Sequence, residues 1–106
     1  MKKEHTEILK LTEMLQSANI PYIFYDDAFG FEPYYITITN KNNIHLCDAI
    51  EHDYGYGYEK DLLEIYGGLT ALEQKDDDVL SNLTAKEVFK RFKYCYENNT
   101  STYKEN

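Results

Sequence analysis

The sequence has no tryptophan and only two cysteines, two prolines and two methionines. Cys47 and Cys95 are far apart and in no CxxC spacing, which excludes a disulfide-rich scaffold and a thioredoxin-like redox motif. One Cys47–Cys95 bridge stays open beside two reduced thiols, the state that a reducing cytosol favours. Bases are scarce too: eleven Lys and Arg face nineteen Asp and Glu, giving a formal net charge of −8. That balance argues against an electropositive surface for phosphates and against direct nucleic-acid binding. Long apolar runs are missing as well. None approaches the roughly 20 residues of a membrane span. Glu4, Glu7, Lys10 and Glu13 interrupt the first twenty residues, where a secretory leader would carry its apolar stretch. The expected compartment is the cytoplasm, with no membrane association.

What the chain does hold is tyrosine. Eleven Tyr and five Phe stand among 106 residues. A tyrosine ring is a large apolar body with a polar tip, so part of this aromatic content can lie on a surface without insolubility. The length fits one domain with a modest core and no need of disulfides.

The apolar periodicities lay out the elements. Residues 4–18 read as an amphipathic helix, with Ile8, Leu11, Leu15 and Ala18 on one face and Thr6 as its cap. Asn19 suits the left-handed residue that closes it, Ile20 packs back on it and Pro21 forbids continuation. Tyr22–Asp26 is a short β-prone run, and Asp27–Pro33 a loop whose Phe29 and Phe31 either fold over the core edge or form a sticky surface. Tyr34–Thr39 alternates with period two, with Tyr35, Thr37 and Thr39 on one face and Tyr34, Ile36 and Ile38 on the other. Asn40–Asn43 is a turn. In the next strand, Ile44–Glu51, the same alternation groups Ile44, Leu46, Asp48 and Ile50 against His45, Cys47, Ala49 and Glu51. Asp61–Tyr66 can be written as a strand or as two helical turns; the strand completes a meander and is preferred. Thr70…Glu73 and Thr84…Glu87 are capping boxes. The first opens a short turn that Asp76–Asp78 ends, with Val79 and Leu80 tucked on the core. The second opens a helix with Val88, Phe89, Phe92, Cys95 and Tyr96 on one face. The expectation is an α+β domain over residues 1–97. An antiparallel meander of three to four strands would have the N- and C-terminal helices on one face. Residues 98–106 would be a flexible tail.

The two strands around residues 52–61 would form a hairpin tipped by Tyr54, Tyr56 and Tyr58, with Gly55 and Gly57 between them. Glycine separating aromatic rings gives a mobile backbone that presents them, a composition met in binding surfaces. Rings lying flat on the sheet are the equal alternative. Glu51, Asp53, Glu59 and Asp61 flank the tip with negative charge. Catalytic signals are weak by comparison. His45, Cys47, His52 and Asp53 lack the second closely spaced ligand pair of a structural zinc site. Acid pairs drawn from Asp26, Asp27, Glu51 and Asp53 arise by chance in so acidic a chain. No phosphate-loop spacing surrounds the glycines. No catalytic residue, metal or cofactor is expected.

The helix ending in ANIPY, the IEHDYGYG-x-EKDLLEIYG segment and LTAKEVFKRFK together resemble small uncharacterised accessory proteins of phages and prophages in low-GC Gram-positive bacteria. The resemblance spans most of residues 6–97. It implies an accessory gene, a class that often encodes inhibitors of host proteins or host defence. The expected function is a non-enzymatic binding protein. Its Glu51, Asp53, Tyr54, Tyr56, Tyr58, Glu59 and Asp61 surface would engage a basic host protein. The target would be a nucleic-acid-handling or defence protein, inhibited as by a DNA mimic or an anti-CRISPR protein. The alternative is a protein that binds or sequesters a small nucleotide-like ligand by stacking on tyrosine. A homodimer is compatible with either.

Overall fold

The computed structural model describes residues 5–25, 34–51 and 62–104. The elements are α1 (Thr6–Ser17), β1 (Ile23–Tyr25), β2 (Tyr35–Thr39), β3 (His45–Glu51), β4 (Leu63–Tyr66), α2 (Ala71–Asp76), β5 (Val79–Leu83) and α3 (Ala85–Asn98). The strands pair antiparallel in chain order, a five-stranded meander, so the fold is α+β as the sequence led us to expect. Asp61–Tyr66 supplies a strand, β4, rather than a helix.

The strand count is a correction. Val79 and Leu80 belong to a fifth strand, β5, which the alternation hides. Asn82 takes a left-handed φ of 63°, and the pairing of β4 with β5 shifts register between Leu63 and Ile65. An extra residue in one strand breaks the period of two. A second irregularity, between Ile38 and Thr39, lets Cys47 pair with Ile38 and His45 with Thr39. Leu46 and Cys47 are therefore both buried while His45 is exposed, so His45 and Cys47 do not share a face as plain alternation had them.

Both long helices cover one face of the sheet. Ile8, Leu11 and Leu15 of α1 and Val88, Phe92 and Cys95 of α3 pack with Ile36, Ile38, Ala49, Leu63 and Ile65 in a single buried cluster. Phe89 is only half buried, at the margin of that cluster. Among the described residues no helix is long and apolar enough to cross a membrane.

Local chemistry sets the helix ends. Thr70 and Thr84 each accept a bond from the N–H three residues on, and the carboxylates of Glu73 and Glu87 accept in return from the Thr backbone. Glu7 of α1 accepts from the Ala85 N–H at 2.7 Å, so one helix caps the other. Thr6 does not cap α1; His5 holds that position without a side-chain cap bond. Asn19 and Asn99 close α1 and α3 at φ 59° and 52°, with Ile20 and Thr100 donating back to Leu15 and Cys95. Gly67, at φ 81°, lies so close to β3 that a Cβ would meet the Leu46 carbonyl oxygen at 2.5 Å. Only glycine permits that approach.

The C-terminal segment is not frayed. Thr102 bridges Leu69, the Tyr103 N–H donates to the Leu69 carbonyl at 2.8 Å, and Tyr103 is 5% exposed. The Arg91 guanidinium lies 4.9 Å from the Tyr103 ring centre and grips Glu73 at 2.8 and 3.1 Å. A buried ring with a cation over its face outweighs the polar composition of the tail.

Phe92→Ala is expected to cost about 3–5 kcal/mol, the usual figure for a core aromatic. Chemical denaturation measures it, and a near-neutral effect would contradict the placement of α3. A second expectation concerns pH. The Arg91 hydrogen bonds hold the Glu73 carboxyl below the usual carboxylate range, against the opposing push of burial. Its folded pKa thus lies below the unfolded one, so the tie stabilises above the unfolded pKa and is lost as pH falls through the folded one. The stability gap between wild type and Glu73→Gln should be full at neutral pH and shrink below about pH 4. A gap unchanged in acid would contradict it.

Candidate functional site

Because the helices cover one face, the alternate residues of every strand line the other. The register sets them in two rows. One runs Ile23, Thr37, Asp48, Tyr66, Val79; the other runs Tyr25, Tyr35, Ile50, Glu64. Ile23, Tyr25 and Tyr66 are 49%, 40% and 42% exposed. The Tyr25 and Tyr35 rings stack with centres 4.3 Å apart and planes 12° off parallel. This is an aromatic, apolar surface broken by two carboxylates.

Neighbours orient those carboxylates. Thr37 Oγ1 donates to Asp48 at 2.6 Å, and His45 Nε2 lies 2.9 Å from the same oxygen. Ser81 Oγ and the Tyr66 hydroxyl donate to Glu64 at 2.9 and 3.1 Å. Burial first, and then the Glu64 carboxylate, push the Tyr66 hydroxyl above its ordinary range, so it stays a neutral donor. Orientation by short side chains lowers the entropy that a contact made by this face would cost.

One end of this face is where the expected tip begins. Tyr25 pairs with Tyr35, Tyr35 with Ile50, and Glu51 with Leu63. The β1–β2 and β3–β4 connections therefore leave the sheet at the same end. Asp53, Tyr54, Tyr56, Tyr58, Glu59 and Asp61 lie outside the described residues, as do His52, Asp26, Asp27, Phe29 and Phe31.

Glu51 is described, and it is not an exposed acid. It is 1% exposed, on the inward face with Cys47 and Ala49. His5 Nδ1 donates to its carboxylate at 2.7 and 2.8 Å, and the Tyr34 N–H donates at 3.0 Å. The His5 ring stacks on Tyr34 at 3.7 Å. A buried carboxylate persists only when paired and hydrogen-bonded, and here the pairing fastens the start of α1 to the end of the sheet. Alternation carried Glu51 inward, and a contact 46 residues away in sequence supplies one of its partners.

The protein matches no family model, no curated protein and no solved structure. The site's chemistry therefore has to be judged from its own groups. Cys47 and Cys95 are both fully buried, and their thiols hydrogen-bond to each other. That bond and burial push the Cys47 thiol far above its ordinary range, which disfavours the thiolate a nucleophile needs. Among the described residues no three His, Cys, Asp or Glu side chains are grouped to hold a metal ion. What the open face offers is contact area with oriented acids. Periodicity had grouped Tyr35, Thr37 and Thr39 on one face of their strand; it did not foresee which rows would form, because the register depends on the two irregularities.

His5→Ala should destabilise the protein by about 1–3 kcal/mol, the cost of taking one donor from a buried carboxylate. Urea unfolding reads the loss, and an unchanged midpoint would mean that the pair does not fasten α1.

Proposed function

We propose that the protein is a small acidic, non-enzymatic binding protein whose partner is a basic protein. The observation that carries this reading is the open sheet face, where Tyr25, Tyr66 and Ile23 stand exposed around the oriented carboxylates of Asp48 and Glu64. Tyrosine anchors with few rotatable bonds make efficient contact surface, and a net charge of −8 favours approach of a cation-rich partner. The acids and rings of residues 53–61 belong to the proposed surface by their chemistry. In the setting of a phage or prophage accessory gene, the partner would be a host nucleic-acid-handling or defence protein. The carboxylates would then occupy the positions of phosphates in its basic groove.

The test is affinity capture from a low-GC Gram-positive host lysate, followed by association kinetics with the purified partner. We expect a basic protein whose on-rate falls as salt rises. Replacing Asp53, Glu59 and Asp61 by Asn, Gln and Asn should flatten that salt dependence with little effect on melting temperature. Tyr25→Ser with Tyr66→Ser should slow association little and speed dissociation. Equal salt slopes for wild type and the acid variant would contradict steering by these residues. Recovery of a bound nucleotide-like molecule without any protein would favour the sequestering alternative.

A further inference from the structure

The side of α3 that faces away from the sheet carries a feature that the proposed binding face does not use. Lys86, Lys90 and Lys93 follow one another at helical steps of four and three, a stripe about 10 Å long at 1.5 Å per residue. Together with Lys104 they line a groove of about 780 Å³ whose apolar walls are Phe89, Tyr94 and Tyr103. Glu87 and Glu97 also line it, Glu97 at 4.0 Å from Lys93. Four ammonium groups against two carboxylates make the groove locally positive on a chain of net charge −8. Total charge had argued against such a surface; the fold concentrates part of the scarce cations in one place.

Next to this groove stands its electrostatic and apolar complement. Arg91 links the two regions, with its guanidinium over the groove's Tyr103 and its hydrogen bonds on Glu73 of α2. Leu72 of α2, at 72%, is more exposed than any other large hydrophobic among the described residues, and exposed Asp76, Asp77 and Asp78 follow it. An apolar tip with three acids fits an apolar groove rimmed by lysines, as one charge pattern fits its opposite. A single copy cannot bring adjacent patches onto each other, but two copies related by a twofold axis can, each presenting its tip to the other's groove.

We infer that the chain forms a twofold dimer in which Leu72 and Asp76–Asp78 of each copy dock in the Lys86, Lys90, Lys93 groove of the other. The contact is rimmed by exposed charges, so it is salt-sensitive. It is argued from groups that the proposed binding function does not use, although Asp77 lies near enough to Tyr66 to act on its hydroxyl, so the contact reaches the β5 edge of the open face.

Sedimentation velocity of the full chain over a concentration series tests it. At low salt the weight-average mass should climb towards twice 12.5 kDa, and at about 1 M salt, where screening acts within about 3 Å, it should return to the monomer value. The variant Lys86→Glu with Lys93→Glu, and the variant Asp76→Lys with Asp77→Lys and Asp78→Lys, should each stay monomeric at low salt. Both should keep the wild-type melting temperature, since all five positions are exposed. Mixed in equal amounts they should restore the twofold mass, because every groove then meets a tip of opposite charge. Wild type monomeric at low salt throughout, or two folded variants that fail to associate when mixed, would overturn the inference. So would a single-stranded DNA oligonucleotide that binds wild type and not the groove variant, which would give the groove to a polyanion.

Discussion

Everything in this fold depends on two helices being laid on the same side of one sheet. Ile8, Leu11 and Leu15 from α1 and Val88, Phe92 and Cys95 from α3 bury the inward residues of the strands, and among the described residues there is no third long helix for the other side. Antiparallel sheets tolerate this because one face can remain in water. The outward rows must then be compatible with solvent and still favour a pleated backbone. Tyrosine and threonine meet both requirements, and they recur there at Tyr25, Tyr35, Thr37 and Tyr66. One-sided coverage accounts in this way for three of the eleven tyrosines.

The helices were legible in the sequence because their signals are local. Each capping box lies within four residues, and Asn19 marks a helix end through its own backbone preference. The inward residues of β2 and β4 followed from alternation. What was not legible depends on irregular register or on distant partners. The shift opposite Leu46 and the left-handed Asn82 each displaced a strand's pattern, so β5 was missed and His45 and Leu46 at the start of β3 were put on the wrong faces. Glu51 looked like a rim acid because His5 is 46 positions away. The C-terminal segment looked frayed because its buried ring, Tyr103, stands among polar residues. A lone aromatic in such a stretch was the available clue.

The same one-sidedness divides the functional possibilities. Both thiols are buried in the core between sheet and helix, and the bond to Cys95 together with burial pushes the Cys47 thiol above its ordinary range. The Glu51–His5 pair is spent on fastening α1. The acids of the open face keep partial exposure and are oriented by Thr37, Ser81 and Tyr66, a state suited to contact rather than to bond-breaking. The open face and the α3 groove lie in opposite layers of the fold and carry opposite chemistry, acids among tyrosines on one and lysines around aromatic walls on the other. A partner could therefore occupy the first while a second copy of the chain occupies the other.

The most direct test of the binding account is a tyrosine footprint. Tyrosines in the free chain and in the complex with the captured basic protein would be nitrated, and the modified peptides read by mass spectrometry. The account predicts that Tyr25 and Tyr66 react in the free chain and are protected in the complex. If both react equally in the two states while protection falls on the helical layer, the open sheet face is not the binding surface.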